Sequence, residues 1–337
     1  MVEPRGVEAV TSRPNLAGLG RMIALRLLAI AATVFGVTFA IFGLSAASPL
    51  DPLAYQLGAR YGQYTEAERA ELAVSLGLDR PWWQQFLNWW SAVFQGDLGY
   101  SRIYRKPVAD VVAERLPWTA LLSGFGLALM LVAVVALALW AARKPRGLIA
   151  RGMDGFGVLL AATPSFVYAL GVIAVFGVAL HAIPLGGAAP PGVAPTLAGV
   201  GPYVVAPGMV LALSLASWPL LATVEATREA ASSPAVLSAR LRGVPESQVV
   251  LRHVLPVSLL PLVTVVGARL GELVVGAVIV ESVFSWPGLA QATVEAAVAT
   301  DFPLLAFVTA ATTVLVMLGS LLSDIAYLLL DPRVSDV

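Results

Sequence analysis

Long apolar runs alternate with polar connections along the chain. Six segments carry about 20 or more mostly apolar residues, enough to cross a hydrocarbon core of about 30 Å as a helix. They lie at 27–46, 121–142, 156–180, 204–224, 255–280 and 304–330. Backbone groups in lipid have no water to bond, so each segment must be helical. The pattern predicts an all-α integral membrane protein with six transmembrane helices.

The composition agrees with this prediction. Of 337 residues, 58% are hydrophobic and 12% charged, whereas soluble chains are about 45–50% apolar and about 25% charged. The chain contains no cysteine, which excludes disulfides, thiolate zinc sites and iron–sulfur clusters. Two histidines are too few for a histidine metal site.

The positions of the basic residues predict the orientation. Arginine and lysine cluster before the first helix, between the second and third, and between the fourth and fifth, whereas 184–202 and 281–303 have none. The positive-inside rule therefore places both termini in the cytoplasm. The connection between the first and second helices also carries basic residues but should lie outside, because the rule loses force in loops longer than about 60 residues.

That external connection has its own helical patterns. Thr65 and Glu68 have the spacing of a capping box, and Gly77 follows as a helix end. A second pattern places aromatic side chains at helical spacing: Trp83, Phe86, Trp90 and Phe94. These aromatics either lie in the lipid headgroup layer or pack on the outer ends of the membrane helices.

No pattern for catalysis stands out. The chain lacks the G-x-x-x-x-G-K-[ST] phosphate loop, H-E-x-x-H and G-x-S-x-G. A conduit is therefore favoured over an enzyme, with its energy coming from an ion gradient or another subunit. Arg269 and Glu272 lie in the middle of the fifth predicted helix. They form either a structural ion pair or part of a translocation pathway.

The stretch SARLRGVPESQVVLRHVLP, at 238–256, is a basic loop between two apolar segments. Glycine permits a backbone reversal, and a proline thirteen residues later suits the start of a helix. This spacing resembles the EAA loop, through which permeases of ABC importers contact an ATPase. The alternative is an ordinary helical hairpin. The predicted coupling loop comprises Ser238, Ala239, Arg240, Arg242, Gly243, Pro245, Arg252, His253 and Pro256.

Further motifs narrow the resemblance. They are LGLDRPWW, GDLGYS, PVADVVAERLPWT, ATPSF with Pro164, IVESVFSWPGL at 279–289 and DPR at 331–333. In this order and spacing the chain resembles, over nearly its whole length, the B-type permease subunit of the oligopeptide and dipeptide ABC importers. Arg269 and Glu272 depart from that family, which usually has uncharged residues there.

The resemblance implies a type I importer permease fold and a division of the chain. Residues 1–26 would form a cytoplasmic tail, 27–116 the first helix and external segment, 117–330 the permease domain, and 331–337 a second cytoplasmic tail. Pro164 would be a helix hinge, and Arg240 and Arg242 would dock on the ATPase. His253 would orient the end of the loop.

The resemblance also implies a function and partners. The chain would be a non-catalytic subunit of an ATP-driven peptide importer in the bacterial cytoplasmic membrane. It would pair with a homologous C-type permease, two ATPase domains and an external peptide-binding protein. Neither a metal nor a cofactor is expected in this chain, and ATP and magnesium would bind the ATPases. The alternative is a stand-alone or ion-coupled transporter that needs no ATPase.

Overall fold

A computed structural model describes residues 16–48, 52–75, 77–143, 147–268 and 270–330. This part of the chain is helical apart from an irregular connection at 180–200, shorter turns, and one two-residue antiparallel ladder, β1 (Tyr100–Ser101) with β2 (Lys106–Pro107). The α-helices are α1 (Leu16–Ala47), α2 (Pro52–Leu57), α3 (Glu66–Ser75), α4 (Trp82–Phe94), α5 (Val108–Arg143), α6 (Leu148–Ala162), α7 (Ser165–Val172), α8 (Gly201–Ala231), α9 (Pro234–Leu241), α10 (Glu246–Val249), α11 (Leu255–Ser258), α12 (Leu260–Ala268), α13 (Leu270–Val283), α14 (Leu289–Val298) and α15 (Phe302–Leu330). A 3₁₀-helix follows α2 (Gly58–Gln63), and π-helical turns follow α7 (Ile173–Ala179) and α10 (Val250–Val254).

Four helices in the described residues are long and apolar enough to cross a membrane: α1, α5, α8 and α15. A fifth crossing is possible through α6 and α7, which meet at an angle of 101°. The fifth predicted segment, 255–280, is divided among α11, α12 and α13. Pro261 lies just after the break between α11 and α12, where its ring would clash with a carbonyl four residues earlier in a continuous helix.

Helix α8 lies at the centre of the bundle. It packs against α5, α6, α7, α12 and α13, and 67% of its most apolar stretch is buried, against 22% for α1. Two glycines allow α5 and α8 to approach closely. A Cβ at Gly126 would lie 2.9 Å from a methyl carbon of Leu211, and a Cβ at Gly208 would overlap the ring of Phe125. These contacts fix the two helices side by side.

The two patterns predicted in the external segment both form. The backbone N–H of Thr65 donates to Glu68, and that of Glu68 donates to the Thr65 hydroxyl, which is the predicted capping box. Helix α4 packs Phe86 against Phe35, Phe39 and Phe42 of α1. The packing interpretation therefore holds for Phe86, which is buried.

These helices do not test the predicted domain boundaries. Helix α1 begins at Leu16, inside the segment predicted as an N-terminal tail. The predicted C-terminal tail at 331–337, with the DPR motif, lies outside the described residues.

Candidate functional site

The predicted coupling loop folds as a helix–turn–helix, from α9 to α10. Ser233 caps the start of α9 by accepting a hydrogen bond from the backbone N–H of Val236. At its end, the N–H of Gly243 donates to the Arg240 carbonyl and the N–H of Val244 to the Ala239 carbonyl. This pair of bonds is a Schellman motif, which requires a left-handed residue after the helix. Gly243 has φ +75°, so the turn predicted from the sequence forms at this glycine.

One side of the loop is packed firmly onto the bundle. Val236 and Ala239 are fully buried, in a cluster with Val249, Ala142 at the end of α5 and Ala231 at the end of α8. Ala239 allows α9 to approach this chain's own helices, whereas Ser238 is exposed. The coupling roles predicted for both residues remain predictions.

The opposite side of the loop is exposed and apolar. Leu237 is 59% and Leu241 80% exposed. The sequence analysis did not single out either leucine. Their spacing of four places them on one helix face, different from the face of the buried Val236 and Ala239, and this spacing could have identified them. The loop therefore presents two leucines on a face that the described residues leave uncovered.

Charged side chains brace the turn. The guanidinium of Arg240 forms an ion pair with the carboxylate of Glu246 across the turn, with a closest N–O distance of 2.6 Å. The hydrogen bond from Arg240 lowers the pKa of Glu246. Arg242 donates to the hydroxyl of Ser238 at 3.1 Å. Both arginines therefore have partners within the loop while remaining largely exposed.

The end of the loop leads into the next membrane segment. Arg252 is exposed and His253 half-buried, both in the π-helical turn. Pro256 is the second residue of α11, as the helix-start prediction requires, and Pro245 is the N-cap of α10. The functional roles predicted for these four residues remain predictions.

The other predicted site residues lie apart from this loop. Pro164 caps α7 within the sharp break between α6 and α7, and its role as a moving hinge stays a prediction. Arg269 lies outside the described residues, and Glu272 lies on α13 with a side chain whose surroundings are not described. The pathway hypothesis for this pair is therefore untested.

The ESVFSWPGL motif forms a buried hydrogen-bonded lock toward the end of α5 that is opposite the α9–α10 loop. The Glu281 carboxylate accepts hydrogen bonds from the Thr119 hydroxyl at 2.6 Å and from the backbone N–H of Gln291 at 2.9 Å. Thr119 in turn accepts from the N–H of Leu289 at 2.7 Å. Amide groups in the first turn of α14 are thus satisfied by side chains of α13 and α5. The sequence reasoning used this motif only as a family signature.

Two further contacts explain the composition of the motif. A Cβ at Gly288 would overlap the Glu281 carboxylate, so only glycine fits at the N-cap of α14. The indole N–H of Trp286 donates to the Trp118 carbonyl at 3.0 Å, and the Trp286 side chain is fully buried. The motif therefore joins α5, α13 and α14 into one unit.

A bundle of long apolar helices packed around α8 is typical of an integral membrane protein. Comparison with known proteins specifies the class. The family described as "Binding-protein-dependent transport system inner membrane component" matches residues 134–336. The chain belongs to this family and is a multi-pass inner membrane protein.

Individual relatives extend the similarity over most of the chain. The oligopeptide transport system permease protein AppB of Bacillus subtilis is 30% identical over 89% of this chain and 95% of its own length. The dipeptide transport system permease protein DppB of Lactococcus lactis is 33% identical over 78% of this chain and 84% of its own. A glutathione transport system permease protein, GsiC of Escherichia coli O6:H1, is 30% identical over 92% of this chain and 97% of its own.

Proposed function

We propose that the chain forms half of the translocation pathway of an ATP-driven importer of small peptides. The α9–α10 loop couples this pathway to the conformational changes of the ATPase. The exposed pair Leu237 and Leu241, held on a rigid turn, carries this proposal. An apolar surface of this kind on a fixed helix suits a stable docking contact. The peptide cargo follows from the names of relatives, which transport oligopeptides and dipeptides.

The partners follow from the same assignment. The loop docks on one of two cytosolic ATPase domains, which bind ATP and magnesium, and this chain contributes no catalytic residue. A homologous permease forms the other half of the pathway, and an external binding protein delivers the peptide. Both termini lie in the cytoplasm, and the coupling loop faces the cytoplasm with them.

The structure offers a route for coupling along one helix. The cytoplasmic end of α5 lies in the loop's buried cluster through Ala142, and Thr119 of α5 holds the Glu281 lock. These two residues are 23 positions apart, about 35 Å along a helix. A rigid α5 would therefore carry a displacement of the loop toward the outer side, in the manner of rigid-body domain motion.

The docking surface can be tested by changing one leucine. In the complex assembled with its partner subunits, Leu241→Asp places a charge in the apolar contact. Peptide-stimulated ATPase activity and peptide uptake into vesicles should both fall strongly. The control is Leu148→Asp, at a comparably exposed leucine at the start of α6. Full stimulation in Leu241→Asp would remove the leucine pair from the docking role.

The same vesicles separate the proposal from its alternative. An ATP-driven importer takes up peptide only when nucleotide is supplied. A stand-alone or ion-coupled carrier transports without nucleotide, and uptake in its absence would contradict the proposed mechanism.

A further inference from the structure

A cavity of about 910 Å³ opens in the external segment, away from the coupling loop. Its walls come from the end of α2, the 3₁₀-helix, α3, strand β1 with the turn that follows it, and the start of α15. Three of its lining residues are arginines and two are tyrosines: Arg60, Arg102, Arg105, Tyr64 and Tyr100. Its walls in the described residues include no aspartate or glutamate. The cavity therefore carries a concentrated positive charge, and its size suits a small organic ligand.

Arg102 is half-buried, whereas Arg60 and Arg105 are exposed. The Nη1 atom of Arg102 lies away from solvent and has no hydrogen-bond partner in the described part of the chain. Burial lowers the pKa of the Arg102 guanidinium, and the nearby charge of Asp301 opposes that shift. A buried charged donor without a partner is costly, so an anion at this position would offset the cost.

Asp301 is already engaged by the neighbouring turn. Its Oδ2 accepts hydrogen bonds from the Ser101 hydroxyl at 2.6 Å and from the backbone N–H of Ile103 at 3.1 Å. These bonds hold the 101–104 turn, and with it the position of Arg102. No ion pair within 4.0 Å joins Asp301 to Arg102 among the described side chains, although Asp301 Oδ1 is also unpaired.

A second, smaller cavity of about 200 Å³ shares Arg102 as a wall. Trp89 also lines it, and the indole N–H of Trp89 is buried without a partner. Arg102 thus borders both cavities, and each of these two side chains keeps an unused hydrogen-bond donor. Such donors suit a carboxylate ligand, because a neighbouring guanidinium group can bind both oxygens of one carboxylate.

We propose that the larger cavity, of about 910 Å³, is a carboxylate-binding subsite, with Arg102 as its principal donor and Arg60 and Arg105 at its rim. The occupant is the carboxyl terminus of a short peptide on its way to the membrane pathway. The choice of a peptide rests on the proposed function, whereas the carboxylate chemistry rests on the cavity alone. Tyr64 and Tyr100 supply apolar ring surface beside the charged groups.

The test measures binding to the assembled complex in detergent, without nucleotide and without the external binding protein. The probes are trialanine and trialanine amide, which differ at the carboxyl terminus. Isothermal titration should show trialanine binding about tenfold or more tightly than the amide, which corresponds to about 1.4 kcal/mol. Arg102→Gln should remove this difference by weakening the binding of trialanine alone.

Matched variants keep the test decisive. Lys106→Gln removes an external cation that pairs with Glu114 and does not line the cavity, so it should leave both affinities unchanged. If Arg102→Gln fails to assemble, Arg60→Gln and Arg105→Gln replace it and should each weaken trialanine binding several-fold. Equal binding of the two probes to the unmodified complex would overturn the proposal.

Other results separate this inference from the proposed function. ATP-driven peptide uptake together with no preference for trialanine over its amide would refute the subsite alone. A preference for trialanine in a complex that takes up no peptide would refute the proposed cargo alone. If Arg102→Gln weakens docking of the binding protein while the unmodified complex binds no trialanine, the cavity recognises an acidic side chain and the proposed occupant is wrong.

Discussion

At the scale of single residues, the Glu281 lock depends on close packing between a glycine and a carboxylate. The Glu281 carboxylate occupies the volume that a Cβ of residue 288 would need, and it also caps α14. Neither group can change size without the other moving. Gly288 is buried with an extended backbone, so this close packing, and not a special backbone angle, makes glycine necessary here.

Gly288→Ala should destabilise the protein by about 2 kcal/mol or more, because the carboxylate must move and lose buried hydrogen bonds. The measurement is the apparent melting temperature of the purified complex in detergent. The control is Gly124→Ala in α5, where an added Cβ meets nothing within 4 Å. Equal melting temperatures for the two variants would contradict the assigned role of the lock.

At the scale of elements, the α9–α10 turn is defined by one left-handed residue. Gly243 adopts φ +75° with open space around its α-carbon, so conformation and not crowding restricts this position. A β-branched side chain there costs about 1–2 kcal/mol, whereas asparagine tolerates the left-handed region better.

We therefore expect Gly243→Val to lower peptide-stimulated ATPase activity strongly and Gly243→Asn to lower it only slightly. Both variants should still reach the membrane, because the loop lies at the end of the bundle. The readout is the stimulation ratio in the reconstituted complex. Similar losses in the two variants would show that side-chain size, and not the backbone angle, limits this turn.

At the scale of the whole molecule, the proposed function requires the coupling loop and the arginine-lined cavity to lie on opposite sides of the membrane. The orientation follows from the distribution of arginine and lysine, and the packing of the helices does not establish it. The chain has no cysteine, so single reporter thiols can be introduced without a background.

A cysteine replacing Ser91 in α4 should react with a membrane-impermeant thiol reagent added to intact cells. A cysteine replacing Ser232, at the end of α8, should react only after the membrane is opened. Both serines are exposed, so access is set by the side of the membrane. The reverse labelling pattern would overturn the orientation and the proposed docking of the loop.

The sequence by itself determined the helical membrane class, the positions of the four long unbroken apolar helices, the capping box at Thr65 and the turn at Gly243. These features are local: hydrophobic length, a short-range hydrogen-bond pattern and one residue's backbone freedom decide them. Motif order also pointed to the family, because several short patterns at fixed spacing are specific together.

Only the tertiary structure decided which side of each element is used. Ala239 faces the bundle and Leu241 faces the solvent, because α9 docks on the ends of α5 and α8, which are distant in sequence. Glu281 meets Thr119 from 162 positions away, and Arg102 lies beside Asp301, which is 199 positions further on. Such contacts depend on how the helices pack together, and no pattern of spacing along the chain specifies them.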